Sequence, residues 1–264
     1  MYLDIRPHAG RIFRPWAAKS PKVREETLRN IRRAPRRDST AVLLRQRENA
    51  PLRGAPRREP SRRTQESRSR AARERLLSAT IEVLIDRGYN GLTTKEVSGR
   101  AGLSNGALVH HYGTKAELVI AATEQVYDRC IENGEKIANS DKARKHPLQA
   151  YIDDCLHVYL GWPFLAAVEV LVPARTDQTL MVQVDKFMQH YRHTMNDVWL
   201  AAFQRAGINR NDAAFLMMAT LNMIRGMGIN SLWQKNMPHY KKLLREWAAV
   251  AESGVFDGRH TELR

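Results

Sequence analysis

LTTKEVSGRAGLSNGALVHHYGTKAEL, residues 92–118, reads as two short helices joined by a tight glycine turn. Thr93 stands at an N-cap position, and Glu96 three residues on can return a hydrogen bond to the cap backbone, so Thr-x-x-Glu has the form of a capping box. The helix that starts at Thr94 carries Val97 and Ala101 on one face by their four-residue spacing and stops at Gly102. Leu103 then plugs the turn with an apolar side chain, and Ser104 is a second N-cap opening a short helix over Asn105–His111. In that helix Leu108 and Tyr112, four apart, face inward, and Asn105, Ala107, Val109 and His111 face outward. Two small helices at a steep angle across a short Gly turn make a helix-turn-helix, in which the N-terminal part of the second helix meets base edges in the DNA major groove.

Both flanks support the motif. Upstream, Ala72, Leu76, Ala79 and Val83, with Thr80 and Leu84, form the apolar stripe of a longer helix that ends at Gly88 before an Asn90-Gly91 turn. Downstream, Gly113-Thr114-Lys115 caps the next helix, with Glu117 in its first turn and Leu118 pointing inward. The order is therefore support helix, positioning helix, reading helix, and a helix leading away. Lys115 sits at a helix start, where the dipole disfavours a cation, so a phosphate is the partner that would explain it.

With Gly88-Tyr89, Thr93, Ala101-Gly102-Leu103-Ser104, His111-Tyr112, Lys115 and Leu118 in this order and without gaps, the chain resembles the TetR family of bacterial transcriptional regulators over residues 70–130, and more loosely through the helical remainder. The resemblance implies an all-α fold: an N-terminal three-helix helix-turn-helix DNA-binding domain followed by a larger helical domain for ligand binding and dimerisation. Carried over residue by residue, it nominates Thr93, Thr94, Lys95, Asn105, Gly106, Ala107, Val109, His111 and Lys115 as DNA contacts. One position departs from the family pattern: Val109 stands where a tyrosine is usual, and it can touch a thymine methyl but cannot hydrogen-bond a phosphate.

The net charge of +15 fits a nucleic-acid partner, yet residues 1–65 hold 18 Lys+Arg against 6 Asp+Glu, a net of +12. This leaves +3 for residues 66–264. The proline-rich, arginine-paired stretch 1–65 reads as a disordered basic extension with transient helix near 22–33 or 40–48. Two readings of it stay open: a basic arm that follows phosphate or enters a minor groove, or an incidental extension from a misplaced translation start. It lacks the continuous apolar core of a secretory signal, and no apolar run in the chain is long enough to span a membrane. Two cysteines, Cys130 and Cys155, fit a reducing cytoplasm rather than a disulfide scaffold or a cysteine zinc site.

Four parts follow: the extension 1–65, the DNA-binding domain 66–114, the helical ligand-binding and dimerisation domain 115–252, and a flexible tail 253–264. In the third part, helices are expected over 115–138, 148–160, 164–174, 178–206, 211–233 and 238–252, with 139–147 as a connection. The helix 211–233 is apolar nearly all around and must be covered on more than one side. With 238–252 it would pack against its symmetry mate as a four-helix bundle, as the resemblance also implies; the alternative is a monomer that wraps this helix itself. A two-fold homodimer would read a palindromic operator in successive major grooves. Tyr151, Cys155, Tyr159, Trp162, Phe164, Glu169, Phe187 and Trp199 are the candidate lining of a small-molecule site, and each is also an ordinary core or helix-end residue type. The expected function is that of a sequence-specific transcriptional regulator released from DNA by a small ligand, and the resemblance implies a repressor.

Two other classes fit parts of the sequence. A nonspecific, architectural DNA-binding protein would also carry a large positive charge. For an α-helical enzyme, His190 and His193 lie three apart with Asp185 and Asp197 nearby, but metalloprotease spacing, a Gly-rich phosphate loop and a serine nucleophile elbow are all missing. Adjacent His110 and His111 point about 100° apart on a helix and do not share an ion readily. No catalytic residue, metal or cofactor is therefore expected.

Overall fold

The structure, a computed structural model, describes residues 62–234 and 236–256. Expectations for residues 1–61 and 257–264 lie outside the described residues. Ten α-helices are described, and no strand occurs among the described residues: α1 (Arg62–Gly91), α2 (Thr94–Ala101), α3 (Asn105–His111), α4 (Lys115–Ala138), α5 (Asp141–Lys145), α6 (Pro147–Tyr159), α7 (Trp162–Ala174), α8 (Gln178–Arg205), α9 (Arg210–Asn230) and α10 (Met237–Phe256). The N-terminal helices form a helix-turn-helix and the remainder a larger helical bundle, as the sequence led us to expect.

The head is held by one small apolar core. Leu84, Val97, Leu108 and Leu118 are fully buried, and Leu92 is nearly so, so α1, α2, α3 and α4 each contribute to it. In the larger body, α4 runs along α8, and α6 packs on α9 around buried Leu148, Ile152, Leu180, Trp199, Phe203 and Ile224. Head and body are joined through α4, which belongs to both, and through α7, which packs against α1.

Several local expectations are refined. Helical hydrogen bonding in α1 continues past Gly88 to Gly91, but the helix is kinked there, with Gly88 at φ 69° and ψ 173°. That conformation favours glycine, and a Cβ at this position would also meet Glu169 Oε2 of α7 at 2.7 Å. The capping box at Thr93 is half formed: Glu96 N–H donates to Thr93 Oγ1 at 3.2 Å, while the Glu96 carboxylate is drawn instead to Arg100 at 2.7 Å and Arg87 at 3.6 Å. An arginine one turn ahead offers the carboxylate a charge-assisted bond, which outcompetes the neutral cap amide. The connection at 139–147 contains the short helix α5, capped by Ser140, whose Oγ accepts from Ala143 N–H at 3.2 Å. Its charges suit the dipole, with Asp141 in the first turn and basic side chains in the last, a signal the polar composition concealed. Lastly, α1 is already helical at Arg62, inside the extension drawn to 65, and α10 runs to Phe256, beyond the boundary drawn at 252.

Helix α9 is covered on one side only. Leu216, Met217, Ile224 and Met227 are buried within the chain, whereas Met218, Ile229 and Trp233, the last just beyond the helix end, are 58%, 40% and 63% exposed. On α10, Leu243 and Val250 are likewise exposed at 40% and 67%.

Candidate nucleic-acid interface and internal cavity

The reading helix is aimed from beneath. Gly102 adopts the left-handed conformation at φ 64° and ψ 37°, its N–H donates to the Gly99 carbonyl, and Leu103 N–H donates to the Ser98 carbonyl at 3.0 Å, closing α2 and turning the chain. Ser104 Oγ then accepts from Ala107 N–H at 3.2 Å and starts α3. Leu108 is the one fully buried residue of α3 and pins it to the head core, so the opposite face is presented outward. On that face Asn105 and Gly106 are exposed, Ala107 is half-buried, and Val109 is 52% exposed. Thr93 and Lys95 are exposed, and Thr94 is half-buried.

Two of the nominated residues are engaged within the chain. Arg73 of α1 donates a long hydrogen bond of 3.5 Å to His111 Nδ1, so His111 is held as an acceptor at that nitrogen. Partial burial, then the neighbouring Arg73 and His110, keep the His111 pKa below its usual value. Lys115 reaches back to the Asn90 carbonyl at 3.5 Å and lies 4.6 Å from the Tyr89 ring centre, and burial lowers its pKa. The cation that looked unsupported at a helix start thus has local partners on the end of α1, and a phosphate is not required to explain it. Near the same point, Glu169 of α7 accepts a hydrogen bond from the Tyr89 backbone, which offsets part of the rise that burial imposes on its pKa.

The eight residues nominated for a ligand site divide into two groups. Tyr151, Cys155, Tyr159 and Trp199 meet around a cavity of about 400 Å³ between α6, α8 and α9. Trp162 is half-buried at the start of α7, Phe164 packs edge-on against Tyr159, Glu169 faces the kink of α1, and Phe187 lies 5.9 Å from Tyr127 in the core, all outside the cavity wall.

Six polar or charged lining residues were missed by the sequence reading: Asp154, Tyr191, Arg192, Asn196, Asn222 and Arg225. Trp199 Nε1–H donates to Asp154 Oδ2 at 2.8 Å, Oδ1 is buried with no hydrogen-bond partner, and burial lifts the carboxyl pKa from 3.8 to about 6. Arg225 donates to the Tyr159 hydroxyl at 3.2 Å and stacks 5.1 Å from that ring centre. The signals were present: Asp154 falls on the buried face of α6, and Arg225 is the one basic residue in the apolar run 211–233. Both thiols are buried, and burial pushes Cys130 up to about 12, so neither is poised as a nucleophile. Among the described residues no group of three or more His, Cys, Asp or Glu could hold a metal ion.

A reading helix pinned by one buried leucine, with a cavity-bearing helical body behind it, defines a helix-turn-helix DNA-binding transcriptional regulator. The chain belongs to the tetR family of bacterial regulatory proteins: the family's model matches residues 76–122, and the chain is 30% identical over 192 residues to the HTH-type transcriptional regulator CymR of Pseudomonas putida, covering 73% of this chain and 95% of that protein. Its fold is shared with a transcriptional regulator of Pseudomonas aeruginosa PAO1 (TM-score 0.58, 18% identity, 77% of this chain and 97% of that one). A TetR-family regulator from Rhodococcus sp. is also similar (TM-score 0.56, 19% identity, 70% of this chain and 98% of that one). These relationships support a DNA-binding regulatory role rather than catalysis.

Proposed function

We propose that this regulator binds a palindromic operator as a homodimer and represses by occupying the promoter, and that a small molecule in the cavity between α6, α8 and α9 releases it. The observation that carries the reading is the outward face of α3, where Asn105, Gly106 and Val109 are exposed while Leu108 is fully buried. Asn105 offers the bidentate geometry that reads adenine, and Ala107 and Val109 offer apolar contact to a thymine methyl. Thr93, Thr94, Lys95 and Gly106 lie beside them for backbone contacts, and His111 and Lys115 complete the edge once Lys115 leaves the Asn90 carbonyl.

The exposed apolar side chains of α9 and α10 support a two-fold interface, because Ile229, Leu243 and Val250 have no other cover among the described residues. Release would follow if the ligand favours a conformation in which α4 and α7 carry the head away from groove spacing. We divide the chain accordingly into a DNA-binding head to residue 114 and a ligand-binding and dimerisation body from residue 115. No single described helix is long and apolar enough to cross a membrane, which suits our reading of a cytoplasmic protein. Selection of bound sequences from a random DNA pool tests the proposal. A palindrome with half-sites one helical turn apart is expected, and enrichment of no sequence refutes it.

A further inference from the structure

Two ionisable groups of the cavity wall have no ion-pair partner among the described residues. Arg225, half-buried, carries five N–H donors on a permanent cation; it donates to the neutral Tyr159 hydroxyl and forms no ion pair among the described residues. Asp154 is 3% exposed, Trp199 occupies Oδ2, and Oδ1 is a buried acceptor without a donor. The two line the same cavity without pairing with each other. An unsatisfied buried polar atom costs about 1–3 kcal/mol, so a guest that donates to Oδ1 relieves a cost within the protein, and one that also carries a carboxylate gives Arg225 its ion-pair partner.

Resting on the reading of this cavity as the effector site, we propose that the effector is a small organic acid. Its carboxylate is held in the fork of Arg225, and a hydrogen-bond donor at its other end is given to Asp154 Oδ1. A planar guanidinium matches a carboxylate bidentately. Between the two ends the walls are aromatic and apolar, from Tyr151, Tyr191, Trp199, Met217 and Leu221, and call for an apolar linker or ring. The volume of about 400 Å³ is that of about a dozen waters, which sets the guest near a dozen non-hydrogen atoms. A cation seated at Asp154 would share the cavity with the charges of Arg225 and Arg192, and a wholly apolar guest would leave Oδ1 without a donor and Arg225 without an ion pair. Of the two guanidiniums in the lining, Arg192 is exposed and Arg225 is half-buried, so Arg225 is the one that a sequestered carboxylate meets.

Four probes that share one body test this on the full chain by isothermal titration calorimetry: 3-(4-hydroxyphenyl)propanoate, its primary amide, 3-phenylpropanoate and tyramine. The hydroxy acid is expected to bind about tenfold or more tightly than either the amide or the acid lacking the hydroxyl, as charged hydrogen bonds imply. In Arg225→Gln the preference for acid over amide disappears while in Arg192→Gln it is kept, and in Arg225→Lys it survives reduced, which separates loss of charge from loss of fold. Asp154→Asn keeps an acceptor for Trp199 but turns an N–H toward the guest, so the hydroxyl preference alone is lost. Equal or tighter binding of the amide or tyramine, an acid preference that survives Arg225→Gln, or no binding by any probe overturns the proposal. If the selected operator is instead released by a neutral or cationic compound, and Leu221→Trp blocks that release by filling the cavity, the acid assignment falls and the regulator stands. Failure to select any DNA sequence has the opposite meaning, because it refutes the regulator while acid binding remains measurable.

Discussion

Replacing Asp154 by Asn should stabilise the protein at neutral pH and leave it unchanged in acid. Burial raises the Asp154 carboxyl from 3.8 to about 6, and the hydrogen bond from Trp199 offsets only part of that rise. The sign follows from which state holds the proton. Below about pH 4 the carboxyl is protonated in both folded and unfolded chains and costs nothing. Between about pH 4 and 6 the unfolded chain releases its proton while the folded chain retains it, so stability falls as pH rises. Above about pH 6 the folded protein carries a buried carboxylate with one oxygen unpartnered, and the penalty is complete. A rise from 3.8 to about 6 corresponds to about 3 kcal/mol, taken as an order of magnitude. Asparagine is nearly the same shape, still accepts from Trp199 Nε1–H, and does not titrate. Urea denaturation of both proteins at fixed protomer concentration across pH 4.5–8 measures the difference, because groups common to both cancel. The expected difference grows with pH toward about 3 kcal/mol in favour of the variant. A difference that does not vary with pH, or a variant less stable at pH 8, would refute the buried-carboxylate argument.

Four further outcomes follow from the geometry. Asn105→Ala combined with His111→Ala should abolish discrimination between operator and random DNA in footprinting while leaving the circular dichroism spectrum intact, since both side chains lie outside the head core. Leu108→Ala removes the fully buried anchor of α3 and should cost about 2–5 kcal/mol with loss of operator binding, read by thermal melting and gel shift. Ile229→Glu with Val250→Glu places charges on the exposed apolar faces of α9 and α10, and analytical ultracentrifugation should show a monomer that no longer holds a palindrome. Deleting residues 1–61, which hold 16 Lys+Arg against 6 Asp+Glu, should flatten the salt dependence of DNA binding and keep its sequence preference.

The head was largely legible in its sequence because each of its turns is marked by a residue with one local reason to be there. Thr93, Ser104 and Thr114 cap helices, Gly102 ends one, and all four are found in those roles. Interactions that depend on a distant partner could not be read the same way. Glu96 was assigned to its own cap, but its choice was made by Arg87 and Arg100. Lys115 looked unsupported because the Asn90 carbonyl and the Tyr89 ring lie a whole head-length back along the chain. In the body, periodicity revealed long apolar helices but not which side of each faces space. Aromatic type alone therefore grouped Phe187, a core residue packed on Tyr127, with Trp199, a wall of the cavity. Attention to charges on apolar faces would have found Asp154 and Arg225, the two residues that give the cavity its chemical direction.

The kink at Gly88 has a use in engineering. A side chain there would meet only the movable carboxylate end of Glu169, but it would have to hold a left-handed backbone that favours glycine, one residue before the Tyr89 ring that lies against Lys115. Residue 88 is therefore a mechanical set-screw: an alanine or serine would strain or straighten the kink, and with it the posture of the reading head against the body, while leaving every side chain of α3 and of the cavity wall in place. Substitution at this one site would separate the contribution of posture to DNA affinity from that of the reading side chains.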